Sequence, residues 1–124
     1  MNDEEIQMDI ILDHYREPRN YGKLQKETTS ITEANPVCGD TLHFSILVED
    51  GIVKDIKFMG QGCSISQASA SMLTEYVKGK SVAEIKNMKP DIVLGLIGLN
   101  LGPTREKCAL LSYNAITKAL NNQS

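Results

Sequence analysis

Between residues 41 and 48 the chain alternates, with Leu42, Phe44, Ile46 and Val48 on one side and Thr41, His43, Ser45 and Leu47 on the other. That is the period-two pattern of a half-buried strand. A second strand is predicted over Ile52 to Met59, and Asp50-Gly51 between them is the pair favoured by type I′ hairpin turns, where both central positions need positive φ. Such a turn pairs Glu49 with Ile52. Continued along the hairpin, the same register sets Thr41 opposite Gly60, Asp40 opposite Gln61, Gly39 opposite Gly62 and Cys38 opposite Cys63.

Elsewhere the spacing is helical. Residues 3 to 17 carry Ile6, Ile10, Asp13 and His14 on one side and Met8, Ile11, Leu12 and Tyr15 on another, with acids in the first turn and Pro18 as a stop. Arg19-Asn20-Tyr21-Gly22 reads as a turn, and Glu27 to Ala34 as a weak edge strand ending at Asn35-Pro36. From residue 64, Ile65, Ala68, Met72, Leu73 and Tyr76 form one face of a helix that ends at Gly79, while the Ser-rich face opposite suits close helix packing. Ser81 and Glu84 have the form of a capping box, and Asp91 to Ile97 is a further short helix. Pro103 opens a last helix with Cys108, Leu111, Ala115, Ile116, Ala119 and Leu120 inside. The expected fold is α+β, a small antiparallel sheet of about three strands with helices packed on one face.

A length of 124 residues fits one domain, residues 1–124. With no Trp and two Phe, its core must rest on Leu, Ile, Val and Ala, so cross-linking by a bound ligand would help. A net charge of -3 excludes a general attraction to nucleic acid or anionic membranes. No apolar run approaches the ~20 residues of a membrane span, and Asn2-Asp3-Glu4-Glu5 lacks the basic flank of a signal peptide, so a cytoplasmic protein is expected. In that reducing compartment the three cysteines point to thiol or metal chemistry.

The predicted hairpin brings Cys38 and Cys63 to one end of the sheet, with Gly39, Gly60 and Gly62 leaving room around them. Cys63 also stands where a strand gives way to a helix, whose N-terminal dipole favours thiolate; at ~0.3 to 1 kcal/mol the dipole leaves much of the thiol protonated, whereas a metal would ionise it outright. Arg105 and Lys107 favour the anionic form of Cys108 in the same way. Asp40, two residues from Cys38, is a candidate fourth ligand. Three thiolates and a carboxylate form a set that zinc accepts, and its sulfur-rich side suits iron-sulfur clusters. The harder carboxylate makes iron held this way easier to give up than in a four-cysteine site. Three cysteines equally fit inert core thiols, and C-x-D or G-x-G-C alone are weak signals; the facing register is the specific part. His14 and His43 read as a helix-end and an exposed strand residue rather than ligands.

Four stretches carry a resemblance along essentially the whole chain: residues 12 to 22 (LDHYREPRNYG), 35 to 40 (NPVCGD), 60 to 71 (GQGCSISQASAS) and 107 to 111 (KCALL). With them the sequence resembles the IscU/NifU-type family of iron-sulfur cluster assembly scaffolds. The resemblance implies a helix-covered antiparallel sheet, a cluster or zinc site formed by Cys38, Asp40, Cys63 and Cys108, a cysteine desulfurase as sulfur donor, and Cys108 as first sulfur receiver. Lys107 stands where the scaffold branch commonly has a histidine, as in the SufU-like branch of sulfur acceptors. Leu101-Gly102-Pro103-Thr104-Arg105 replaces the Leu-Pro-Pro-Val-Lys segment that a dedicated Hsp70 reads, which counts against that chaperone as a partner. The interval from Cys63 to Cys108 is too short for the insertion usual in the SufU-like branch.

Three functions follow as expectations. The first is a non-enzymatic scaffold that receives sulfur, binds iron, builds a labile, transient 2Fe-2S cluster and hands it to recipient apoproteins. The second is a zinc-dependent sulfur acceptor for a cysteine desulfurase, with Cys38 or Cys108 taking the sulfur. The third is an interaction module with buried thiols.

Overall fold

The segments that alternate, or repeat every 3.6 residues, form the strands and helices their patterns predict. The computed structural model describes residues 2–36 and 39–121. In chain order the elements are α1 (Asp3–Arg16), β1 (Thr29–Asn35), β2 (Asp40–Glu49), β3 (Ile52–Gln61), α2 (Ser64–Val77), α3 (Val82–Lys86), α4 (Asp91–Ile97) and α5 (Pro103–Leu120). The strands make one antiparallel sheet in the order β1-β2-β3. Asp50 and Gly51 have φ of 53° and 74°, as a type I′ turn requires.

The register expected from that turn survives for two pairs and then slips. Glu49 faces Ile52 and Val48 faces Val53, but Leu47 faces Asp55, Ile46 faces Ile56, Phe44 faces Phe58 and Thr41 faces Gln61. Lys54 is the extra residue, a β-bulge. Burial explains it. Val53 and Ile56 are both fully buried, yet three residues apart a regular strand would send them to opposite faces. The bulge turns both toward the core and stacks Phe44 on Phe58, ring centroids 6.0 Å apart. Without it, Ile56 would face Ser45 and Phe58 would face His43. Beside the bulge, Val53 bonds through its backbone to Gly79 and Lys80, and further along Phe58 bonds to Asn20 and Gly22, so coil segments cover the outer edge of β3 at two places.

Helix α2 is the spine of the helical layer, buried on nearly every side. Its apolar face enters the core with Leu42, Ile46, Val93 and Ile116. Its Ser-rich face packs closely, as expected. The Ser69 hydroxyl donates to the Ala109 carbonyl of α5 at 2.8 Å and lies 3.1 Å from Ser112 Oγ. Ser71 Oγ accepts from the Arg19 backbone N–H at 2.8 Å and lies 2.7 Å from His14 Nδ1, while Asn20 donates its side-chain amide to Thr74 Oγ1 at 3.1 Å. Arg19 also pairs with Asp13 at 2.6 Å. The stretch from Asp13 to Asn20 is thus a polar latch that fixes α1 and its turn onto α2.

Neither of the two apolar sides read into α1 is buried as a unit; the inner stripe takes one residue from each. Ile11 and His14 are buried, whereas Ile6, Met8, Ile10 and Tyr15 remain 39–44% exposed. The helix meets α2 along one narrow stripe, too small to cover both sides. On α5, Cys108, Leu111, Ala115, Ile116, Ala119 and Leu120 are buried as predicted, and the capping box of Ser81 and Glu84 opens α3. No described helix is long and apolar enough to cross a membrane.

Burial lowers the His14 pKa from its ordinary value, assisted by the Arg19 charge and opposed by Glu75 and Asp13. The unfolded ring protonates near 6.5 and the folded ring at lower pH, so the unfolded chain binds more protons just below 6.5. Stability from the neutral ring is complete above that pH and declines as pH falls toward the folded value. The melting temperature should therefore fall as pH is lowered from about 7, and His14→Gln should flatten that dependence.

Candidate metal centre

The first residue of β2 sets the site. Asp40 is fully buried, and its carboxylate meets the junction where β3 gives way to α2. Oδ1 accepts the backbone N–H of Cys63 at 2.8 Å, while Oδ2 lies 3.8 Å from Cys63 Sγ. Cys63 is the N-cap residue of α2, in extended conformation with no side-chain cap of its own, so a carboxylate from another strand holds the helix start. Cys63 is half-buried, and its carbonyl accepts from Ser66 Oγ at 3.0 Å.

The bulge in β3 changes which glycine serves this contact. Because Thr41 faces Gln61, Gly62 comes level with Asp40, which corrects the expected pairings of Asp40 with Gln61 and of Gly39 with Gly62. Gly62 has φ +139°, and a Cβ built there would overlap the Asp40 carboxylate. Gly60 is crowded too, by the backbone of Thr41 and Leu42. Gly39 has φ +71° and open space around it, so its requirement is conformational. Room and close backbone approach at this end of the hairpin are as expected; the partners differ by one residue.

Cys108 lies in the second turn of α5, 2% exposed. One ligand atom each from Asp40, Cys63 and Cys108 lie within 4.8 Å of one another. A tetrahedral zinc with bonds near 2.0–2.3 Å needs donor separations of roughly 3.5–3.8 Å, so a small contraction suffices and the Asp40–Cys63 edge already meets it. Two sulfurs and a carboxylate oxygen are donors that zinc and iron both accept. Cys38, the remaining predicted ligand, lies outside the described residues. Gly39 N donates to Asn35 O at 2.9 Å, holding together the ends of the segment that contains it. Lys107 is exposed at the rim, where it shares a surface hollow with Asn35 and Pro36.

Two features went unread in the sequence. Asp40 secures the backbone of Cys63 as well as facing its sulfur, a role signalled only by a carboxylate across from a strand-to-helix junction. Asn35, read as the end of a strand, is buried and donates its side-chain amide to Cys108 Sγ at 3.9 Å.

Residues 6–124 match the model of the NifU-like N-terminal domain. Over 90% of its length the chain is 38% identical to the zinc-dependent sulfurtransferase SufU of Bacillus subtilis, covering 86% of that protein. It is also 38% identical to the iron-sulfur cluster assembly scaffold protein IscU of Haemophilus influenzae, over 89% of both chains. A crystal structure from Fervidobacterium islandicum, of a candidate iron-sulfur cluster assembly scaffold for the SUF system, superposes with a TM-score of 0.81 at 26% identity and covers 96% of this chain and 99% of that one.

Gly62→Ala should destabilise the metal-free protein by about 1–3 kcal/mol in chemical denaturation, because it combines an unfavourable φ with displacement of a buried carboxylate. Gly39→Ala, which meets no neighbouring atom, should lie at the low end of that range.

Proposed function

We propose, since the chain belongs to the family of the NifU-like N-terminal domain, that it is an iron-sulfur cluster assembly scaffold whose cargo is held by Cys38, Asp40, Cys63 and Cys108. The observation that carries this reading is the convergence of Asp40, Cys63 and Cys108 at the open end of the hairpin, from segments far apart in sequence. Similarity to the IscU scaffold supports the same cargo.

A cysteine desulfurase would present a persulfide. The thiolate of Cys108, or of Cys38, attacks its outer sulfur; a new S–S bond forms on the scaffold, and the desulfurase cysteine leaves as thiolate with no net oxidation. Turning each transferred sulfur into sulfide takes two electrons from an electron-transfer protein. Iron then joins sulfide between the thiolates to give a 2Fe-2S cluster, with Asp40 as the hard and weakly bound member of the shell. Such a shell favours onward transfer to recipient apoproteins. On this reading the protein carries its cargo and turns over no substrate in the enzymatic sense. The thiols need a reducing compartment, for which the cytoplasm is the natural setting.

Resemblance to a zinc-dependent sulfurtransferase, together with Lys107 beside Cys108, favours one second reading. There zinc closes the same ligands until a desulfurase displaces one of them and sulfur is taken up by the freed cysteine.

Anaerobic incubation with ferrous iron, cysteine, a desulfurase and dithiothreitol as the reductant tests both. A scaffold should develop visible sulfur-to-iron absorption that is lost in each single Cys→Ala variant. A colourless protein holding one tightly bound zinc and accelerating desulfurase turnover would replace the first reading with the second. Persulfide on none of the three cysteines, with neither metal retained, would remove both. Asp40→Cys should slow metal release to a chelator by about tenfold or more, since a fourth thiolate replaces the hard oxygen donor.

A further inference from the structure

Asn35 is the last residue of β1 and meets two sides of the centre, the start of β2 and Cys108. Its backbone pairs with Asp40 across the sheet, its carbonyl accepts from Gly39 N at 2.9 Å, and its carboxamide reaches α5 to meet Cys108. Asn35 is 8% exposed and Cys108 is 2% exposed, so the contact between them is buried. A carboxamide in such surroundings is retained where its N–H groups find acceptors, because desolvating them unpaired is costly. Asn35 Nδ2 lies 3.9 Å from Cys108 Sγ, and the pairing of its backbone with Asp40 holds the residue at the edge of the centre.

We propose that Asn35 is a positioning residue that donates an N–H···S hydrogen bond to Cys108 in the loaded protein, making Cys108 an electronically weaker donor than Cys63. An N–H directed at a coordinated thiolate withdraws electron density from sulfur, and hydrogen bonds of this kind tune metal sites and cluster potentials. The inference rests on the reading of these residues as a metal-holding centre. It assigns unequal roles within that centre: Cys63 is fixed to Asp40 and the start of α2, while Cys108 carries a bond that lowers the cost of giving up its metal and keeps the released sulfur aimed inward.

Cobalt(II) bound to the full chain provides the test. Asn35→Ala and Asn35→Asp, which both lack the amide donor, should move the thiolate-to-cobalt charge-transfer band to longer wavelength. The d–d bands, which report ligand number and geometry, should hold their position. In a Cys108→Ser background, Asn35→Ala should no longer move the charge-transfer band, since the interaction partner is gone. If the substitutions compromise folding, the unmodified chain loaded with 113Cd still decides, because a through-bond coupling between an Asn35 carboxamide proton and the metal requires the N–H···S link. An unmoved charge-transfer band, an equal shift in the Cys108→Ser background, or 113Cd spectra with no such coupling would overturn the role of Asn35 while leaving the metal centre standing. Failure of the wild-type chain to bind cobalt or cadmium would overturn both.

Discussion

A buried carboxylate that grips the start of a helix is the contact on which the rest of this end of the molecule depends. Asp40 leaves the sheet at the rim of β2, takes the Cys63 N–H on one oxygen and presents the other to the Cys63 sulfur. That contact needs a glycine at 62, a strand register that brings Gly62 level with Asp40, and a helix whose first turn has no cap of its own. The bulge at Lys54 supplies the register. A feature near one end of the hairpin therefore decides which backbone atoms meet at the other.

Much of this was legible in the sequence because local signals agreed with the global fold. The Asp50-Gly51 turn, the alternation of β2, the capping box of α3 and the inner face of α5 each had an unambiguous physical cause. The grouping of Asp40, Cys63 and Cys108 was also legible, through the hairpin for the first two and through family resemblance for the third. Cys38 lies outside the described residues and stays a proposed ligand, without the register that set it opposite Cys63.

What the sequence hid was mostly a matter of parity and reach. The bulge could be read in retrospect from the three-residue spacing of Val53 and Ile56, but only once both were known to be buried. The faces of α1 misled because an amphipathic stripe does not reveal how much surface its neighbour can cover. Asn35 was hidden because its contact to Cys108 spans β1 and α5, and no spacing rule links residues so far apart.

The helical spine carries a further implication. The donors come from β2, from the head of α2 and from α5, so a cation held among them ties distant stretches of chain as a cross-link would, narrowing the freedom of the unfolded ensemble. By thermodynamic reciprocity, whatever loosens the packing of α5 against α2 must also weaken the grip on the ion, and whatever withdraws the ion must soften that packing. On the proposed reading, loading and unloading would change how firmly α5 is held against α2 as well as the occupancy of the site.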